Sequence, residues 1–228
     1  MNIILQIILA FLLADFITGV FHWIEDTYLD YCIDIPFISD IAKDNDMHHY
    51  FPRSTLVYSY WENTRVNLIL GVIMLVLIYV VNKNFFVNNI CFVLIFTFFA
   101  VISNVCHRFS HMRDCENSQT VIFLQKIGIL SSHTYHSVHH ETSLTRYCPI
   151  SVYNNYILDY IYFWRILECI VFLLTGITPS RNEYNKYKSI HNHMHENAKL
   201  ECPKKPTKED IDELKLLLDK YRKCDTNS

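Results

Sequence analysis

Three long apolar runs dominate the first half of the chain, at residues 2–23, 66–81 and 85–106. A helix needs about 20 apolar residues to cross the hydrocarbon core of a bilayer, so this pattern predicts three membrane-spanning helices. Only Asn82-Lys83-Asn84 separates the second run from the third, which predicts two antiparallel helices joined by a polar turn. The first run lacks the basic segment and the small-residue cleavage site of a signal peptide, and we expect it to be retained.

The second half of the chain has shorter apolar runs and ends in a polar region. Residues 121–130 and 166–177 are apolar but too short to span, and we predict that they lie at the membrane surface or re-enter the membrane. Residues 1–182 form the predicted membrane domain. Residues 183–228 form a predicted soluble, polar tail that contains an amphipathic helix over 207–223.

The tail helix has both a start signal and an apolar stripe. Thr207 and Asp210 have the spacing of an N-cap residue and its N3 partner. The helix could pack on the membrane domain, lie on the membrane or bind a partner. The tail also contains a histidine cluster, at His191, His193 and His195. It is more typical of a solvent-exposed polar segment than of a separate metal site. The apolar stripe consists of Ile211, Leu214, Leu217, Leu218 and Tyr221.

Composition and charge favour a membrane protein and argue against a nucleic-acid partner. Hydrophobic residues make up 51% of the chain and charged residues 19%, against about 25% charged in soluble domains. The net charge is −3, whereas a nucleic-acid-binding surface is basic. The turn between the second and third apolar runs carries only Lys83, and the other membrane side is richer in basic residues, so the positive-inside rule places that side in the cytosol. Its basic residues are Lys43, Arg53, Arg65, Arg108, Arg113, Lys126 and Arg146.

The eight cysteines form no C-x-x-C pair. Because disulfides are rare in the cytosol, we expect free thiols at all eight positions. They are Cys32, Cys91, Cys106, Cys115, Cys148, Cys169, Cys202 and Cys224.

Eight of the twelve histidines stand in clusters near the ends of predicted helices. The spacing of four residues between His107 and His111 places two side chains on one helix face, about 5–6 Å apart. In the predicted topology all the clusters fall on one side of the membrane. Imidazole binds iron, zinc, copper and nickel, so we predict a metal site there. Its candidate ligands and catalytic residues are His22, His48, His49, His107, His111, His136, His139 and His140.

Polar residues extend two of these histidine stripes into the predicted spans. Asp15 and Asp26 share a face of the first helix with His22, and Asn104 precedes His107 on the third. We expect Asp15, Asp26 and Asn104 to lie behind the ligands and orient their imidazoles. For Asp15, a hydrogen bond that only packs the helices together is an equally good alternative.

The type of metal follows from the number and kind of donors. The chain has neither the H-E-x-x-H motif of zinc proteases nor the paired cysteines of a zinc finger. Eight imidazoles are too many for one four-coordinate ion and suit two iron ions that keep positions open for O2. Soluble di-iron bundles use carboxylates instead, so the histidine-rich set indicates a membrane di-iron oxygenase.

Further motifs lie between and around the histidines along residues 10–182. They include Ala14-Asp15, Gly19, His22-Trp23, Asp26, His48-His49, Pro52, Asn63, His107, His111, Leu124-Gln125, Gly128, His136, His139-His140, Tyr147-Cys148, Asn154-Asn155, Phe163-Trp164-Arg165, Leu167-Glu168 and Leu174-Thr175-Gly176. In this combination the chain resembles the Kua-type lipid desaturases. That family includes the plasmanylethanolamine desaturases and the plant enzyme that introduces a trans double bond into palmitate on phosphatidylglycerol.

The resemblance implies an all-α, multi-pass membrane helix bundle with a cytosolic di-iron site formed by the eight histidines. It also implies an oxidoreductase that uses O2 to introduce a C=C bond into a lipid chain. Animal members carry two further histidines, where this chain has Tyr58 and the Leu144-Thr145 pair. The plant enzyme lacks both, which favours an acyl chain over the alkyl ether chain of a plasmalogen precursor. His133 matches no family position and is expected to be a neighbour of the site.

Three functions remain open at this stage: a lipid desaturase, a lipid hydroxylase on the same di-iron core, and a non-enzymatic metal-binding membrane scaffold. The intact set of eight histidines argues against the scaffold. The chain has no G-x-G-x-x-G fingerprint and no haem-attachment motif, so an enzyme of this kind needs an external electron donor, cytochrome b5 or a ferredoxin. We expect the protein in the endoplasmic reticulum or an equivalent membrane.

Overall fold

The computed structural model describes residues 2–180 and 202–222, and every regular element within them is a helix. The expectation of an all-helical fold is confirmed. The predicted cluster at His191, His193 and His195 lies outside the described residues. The α-helices are α1 (Ile3–Tyr28), α2 (Ile38–Tyr50), α3 (Tyr60–Val81), α4 (Lys83–Asn88), α5 (Ile90–His111), α6 (Gln119–Lys126), α7 (His133–Thr142), α8 (Tyr153–Tyr160), α9 (Phe163–Thr175) and α10 (Lys208–Arg222).

Three of these helices, α1, α3 and α5, are long and apolar enough to cross a membrane, as the sequence predicts. They pack side by side with α5 in contact with both of the others. Ala10 and Ala14 are fully buried in α1 and lie against Phe96 of α5. Small residues let two membrane helices approach closely, so these alanines set the spacing of the α1–α5 pair.

The turn between the second and third spans is itself helical. Asn82 accepts a hydrogen bond from the backbone N–H of Phe85 and thereby begins the six-residue helix α4. The third span therefore starts at Ile90, five residues later than the apolar pattern indicates. The cause is that the aromatic residues Phe85 and Phe86 continue the apolar run but belong to α4.

Asp15 is fully buried in α1 and fixes the loop that leads into α8. Its Oδ1 accepts hydrogen bonds from the backbone N–H groups of Ile150 at 2.9 Å and Ser151 at 3.2 Å. Its Oδ2 accepts from the Ser151 hydroxyl at 2.7 Å and from the Asn154 amide at 3.1 Å. The structure therefore gives Asp15 the packing role, and its carboxylate contacts this loop rather than an imidazole.

The described part of the tail lies against the membrane domain. Thr207 and Asp210 cap α10 reciprocally, since each backbone N–H donates to the other side chain. The buried side chains of α10 pack on α2 and on the loop that precedes it. Of the three possibilities that the sequence leaves open, the structure shows docking on the membrane domain. The buried contacts are those of Ile211, Leu214 and Leu218 with Tyr31, Met47 and Tyr50.

Leu214 is fully buried in α10, whereas Leu216 on the same helix is 73% exposed. We expect Leu214→Ala to weaken the docking of α10 by about 2–5 kcal/mol, because it leaves a cavity in this contact. Local opening should then make cleavage at the exposed Lys215 by trypsin more than about tenfold faster. The matched control Leu216→Ala should leave the cleavage rate unchanged. Equal rates for the two variants would contradict the packing.

The expectation of free thiols is wrong for three cysteines. Cys115 and Cys202 form a disulfide with Cα atoms 6.1 Å apart, and Cys32 is also disulfide-bonded. The spacing of cysteines along the sequence could not show this, because Cys115 and Cys202 are 87 residues apart. Among the described residues, Cys91, Cys106, Cys148 and Cys169 are free.

Candidate metal centre

Nine side chains from four helices converge at the end of the bundle, and they form two groups. In α1, α5 and α7, ligands four residues apart lie on one helix face, whereas α2 supplies two adjacent residues and α7 adds His139 next to His140. Within each group, the candidate ligand atoms lie within 4.8 Å of one another. Group one consists of His48, His107, His111, His136 and His140, and group two of His22, Asp26, His49 and His139.

Group one contains only imidazoles, and their Nε2 atoms face one another. The Nε2 of His107 lies 2.8 Å from that of His136 and 3.0 Å from that of His111. The Nε2 atoms of His140 and His136 are 3.1 Å apart. Two nitrogens bound to one ion at about 2.1 Å lie roughly 3 Å apart when they occupy neighbouring positions. The observed separations match those of ligands around a single ion.

Group two combines three imidazoles with the carboxylate of Asp26. The Nε2 of His139 lies 3.0 Å from Asp26 Oδ2, and that of His49 lies 2.8 Å from Oδ1. The Nε2 of His22 is 3.4 Å from Oδ2. Asp26 is 1% exposed. A buried carboxylate among three imidazoles places a negative charge where a dication can be held.

The two groups adjoin, because α2 and α7 contribute to both. His48 and His49 are consecutive on α2, as are His139 and His140 on α7, and consecutive helical side chains point about 100° apart. One residue of each pair therefore enters each group. The rings of His49 and His140 are 4.9 Å apart between centroids.

Two backbone carbonyls fix the tautomers of group-two histidines. A carbonyl can only accept, so His22 donates its Nδ1–H to the oxygen of Tyr147 at 2.9 Å. His139 likewise donates its Nδ1–H to Thr145 at 2.8 Å. A neutral ring with this tautomer directs an Nε2 lone pair at Asp26, in both His22 and His139. This arrangement is the one by which metal sites orient their histidine ligands.

Unsatisfied buried atoms supply a further test of whether metal ions fit. Neither ring nitrogen of His48 has a hydrogen-bond partner, although its side chain is buried. The Nδ1 of His140 is also buried without one. Buried polar atoms are normally paired, and a cation in group one would provide a partner for one ring nitrogen of His48. The donors of both groups therefore fit resident metal ions, and a histidine-rich set suits iron.

Burial keeps the group-one histidines outside the membrane-spanning helices in the neutral form that binds metal. It lowers the pKa of His48, His136 and His140 well below the usual histidine value, and the neighbouring imidazoles add to the effect. Burial alone would also lower the pKa of His49, but the Asp26 carboxylate outweighs it and raises that pKa. Neutral imidazoles are the ligand form, so group one is ready to bind a cation at neutral pH.

The structure brings together all eight histidines predicted from the sequence. Asp26, expected behind the ligands, instead offers an oxygen to group two. Asn104 is exposed on α5 and belongs to neither group. His133 also stands apart, with its Nδ1 3.1 Å from a guanidinium nitrogen of Arg113.

Sequence reasoning missed the groups that hold the ligands in place. The orienting carbonyls of Tyr147 and Thr145 carry no side-chain signal. Arg108, inside the H-x-x-x-H motif, donates to the backbone carbonyls of Thr55, Leu56 and Tyr58. These bonds join α5 to the segment after α2. The available signal in the sequence was an arginine between the two histidines at the end of an apolar run, since charges in such places are usually paired.

Comparisons with known proteins agree with this geometry. Residues 11–182 match the model of the lipid desaturase domain. A probable fatty acid desaturase of Acanthamoeba polyphaga mimivirus is 34% identical over 79% of this chain and 88% of its own length. Plasmanylethanolamine desaturase 1 of Mus musculus is 26% identical over 79% of this chain and 69% of its own length. The chloroplastic fatty acid desaturase 4-like 2 of Arabidopsis thaliana is 27% identical, over 75% of this chain and 60% of its own length. No solved structure matches the chain.

Proposed function

Because the chain belongs to the lipid desaturase family, we propose that it is a membrane enzyme that uses two iron ions and O2 to introduce a C=C bond into a lipid chain. The observation that carries the proposal is the pair of adjoining donor groups at the end of the helix bundle. The nine donors would bind the two ions to α1, α2, α5 and α7.

The division of donors assigns each ion its own residues. His48, His107, His111, His136 and His140 would hold one iron, and His22, Asp26, His49 and His139 the other. When bound, iron would activate O2 for the removal of two hydrogens from adjacent carbons of the lipid chain. The protein holds the ring nitrogens in place through the Tyr147 and Thr145 carbonyls.

Electrons must come from another protein under this proposal. Desaturation converts one O2, two electrons and two protons, with the two hydrogens of the lipid, into two molecules of water. The sequence contains no nicotinamide fingerprint and no haem-attachment motif, so we propose cytochrome b5 or a ferredoxin as the donor.

The substrate that we propose is an acyl chain, with the alkyl ether chain as the second candidate. Relatives named for each type of reaction match this chain, and the probable fatty acid desaturase has the higher identity. Tyr58 and the Leu144-Thr145 pair stand where animal members carry histidine. Tyr58 lies outside both donor groups, and Leu144 is exposed. The two groups are thus formed without those further histidines.

We propose the endoplasmic reticulum or an equivalent membrane, with the histidine side in the cytosol. The histidine side carries seven basic residues, whereas the opposite side carries only Lys83 in the turn between the second and third spans. This difference supports the orientation by the positive-inside rule. The Cys115–Cys202 disulfide argues the other way, because disulfides persist mainly in oxidising compartments.

The test is lipid profiling by mass spectrometry of cells that express the chain and make both phosphatidylglycerol and ether lipids. We expect a new unsaturated acyl chain that disappears in the His139→Ala/His140→Ala variant, because this change removes one ligand from each donor group. The matched control is His133→Ala, which removes a nearby histidine that belongs to neither group. It should retain the product.

Each other outcome identifies a different function. An acid-labile vinyl ether would show the alkyl ether chain as the substrate. A histidine-dependent hydroxylated lipid would show a hydroxylase. An unchanged lipid profile, with the protein present, iron bound and a competent electron donor supplied, would overturn the proposal in favour of a scaffold.

A further inference from the structure

Helices α8 and α9 are apolar but short. They contain 8 and 13 residues, or about 12 and 20 Å of helix, whereas the hydrocarbon core of a bilayer is about 30 Å thick. After α9 the chain returns to the histidine side, where the backbone N–H of Ser180 donates to the carbonyl of Thr27 at 2.8 Å. The segment between α7 and Ser180 therefore begins and ends on the same side.

Contacts with α1 define how deep this segment lies. The Asn154 amide at the start of α8 donates to the Leu12 carbonyl at 2.8 Å. The rings of Phe163 in α9 and Phe16 in α1 are 5.7 Å apart between centroids. Leu12 precedes His22 by ten residues, about 15 Å along the helix. The two short helices thus lie beside the part of α1 that crosses the membrane.

The outward surface of α8 and α9 is apolar over its whole length. Residues 153–177 expose no Lys, Arg, Asp or Glu. The exposed fraction is 80% for both Leu173 and Leu174 and 84% for Tyr160. The large exposed side chains are Tyr153, Tyr156, Ile157, Tyr160, Ile161, Tyr162, Ile166, Ile170, Phe172, Leu173, Leu174 and Ile177.

The charged residues of the segment are paired; Glu168 is buried, and Asp159 and Arg165 are partly buried. Arg165 forms an ion pair with Glu168, whose Oε1 also accepts from the Trp23 indole at 3.3 Å. Asp159 accepts from the backbone N–H of Arg146 at 3.3 Å. A surface in contact with water would carry some of these charges outward. A continuous apolar face of this extent marks a membrane or protein contact.

Four of the exposed side chains are tyrosines, on α8 and just after it. Their part of the segment lies at the level of Leu12 and Phe16 of α1, whereas the chain after α9 returns to Thr27. These tyrosines therefore form no aromatic belt at the membrane surface, and the apolar face and its depth indicate the lipid contact. A dimer contact explains neither the depth beside α1 nor the return to the same side.

We propose that α8 and α9 form a re-entrant element whose outward face is embedded in the acyl chains of the leaflet on the histidine side. The occupant of this face is the phospholipid leaflet itself, in continuity with the lipid surface around α1. The proposal rests on the membrane spans and not on the proposed desaturation.

Cys169 offers a native reporter, because it is the exposed free cysteine of α9. The full chain would be placed in phosphatidylcholine nanodiscs and labelled with bimane, and the Cys169→Ser variant would give the background. We expect phosphatidylcholine with a nitroxide on carbon 5 of its acyl chain to quench the Cys169 signal at least twofold more than aqueous iodide does. The matched control, Lys208→Cys in the Cys169→Ser background, places the label on exposed α10 and should show the reverse order.

Two results would overturn the proposal. The first is quenching of Cys169 by iodide to the same extent as the Lys208→Cys label, which would place the face in water. The second is protection from both quenchers together with cross-linking of two chains, which would show that a second copy covers the face. Loss of the desaturation product in cells would leave this result unaffected, so failure of the two proposals is distinguishable.

Discussion

Replacing Asp26 with alanine is expected to reduce bound iron from two ions per chain toward one and to lower desaturation more than about 100-fold. Loss of a group behind a ligand already costs 10- to 100-fold, and Asp26 supplies the only carboxylate among the nine donors. Its removal leaves His22, His49 and His139 without the negative charge that balances a dication. Iron content by mass spectrometry of the purified protein is the direct measurement.

The matched control is Asp34→Ala, which removes an exposed carboxylate from the loop after α1 and should change neither iron content nor product. Asp26→Asn distinguishes the effect of the negative charge from that of the side chain's shape, because an amide keeps the shape but loses the charge. If Asp26→Ala retained two iron ions but lost about 10- to 100-fold in desaturation, Asp26 would be an orienting group, as the sequence alone suggested. Full retention of both would contradict either role.

The side chains that meet at the candidate metal site could be predicted from the sequence because helical spacing places them together. His107 with His111, and His136 with His140, are each one turn apart, and the three apolar runs determine which side of the membrane they face. The split into two groups could not be predicted in this way. It depends on the rotation of α2 and α7, which sends His48 and His49 into different groups, and on how close Asp26 comes to His139.

Helical spacing alone could not show what Asp15 and Asn104 contact. Asp15 and Asn104 lie on helices with histidines further along, but the partner of a buried polar side chain is decided by tertiary packing. Asp15 meets the loop at Ile150 and Ser151, whereas Asn104 faces outward. The same limit applies to Cys115 and Cys202, whose pairing joins positions 87 residues apart in the sequence.

The loop that Asp15 holds also supports the metal site. It continues from Tyr147 and Cys148, and Tyr147 supplies the carbonyl that orients His22. The ring of Tyr147 packs on Trp164 of α9, with 4.9 Å between centroids. Close contact between α1 and this loop is therefore a condition for the geometry of group two. That contact is made at Gly19, where α1 has no side chain.

Gly19→Ala is accordingly expected to destabilise the protein and to lower the iron content of group two. A Cβ at this position would lie 2.7 Å from the Cys148 sulfur, 2.9 Å from its Cα and 3.2 Å from its backbone nitrogen. In an open helix, alanine would be more favourable than glycine by about 0.5–1 kcal/mol. Overpacking costs about 1–3 kcal/mol, and backbone atoms cannot rotate away, so the clash outweighs the gain in helix propensity.

Thermal unfolding in detergent and iron content together measure this effect. We expect a lower Tm for Gly19→Ala and no comparable change for Phe21→Ala, which truncates an exposed side chain two residues further along α1. The double variant Gly19→Ala/Cys148→Ala removes the sulfur contact but keeps the contact with the Cys148 backbone. Its Tm should recover only in part. Full recovery would show that the sulfur alone sets the distance between α1 and the loop, and that the backbone at Cys148 is free to move.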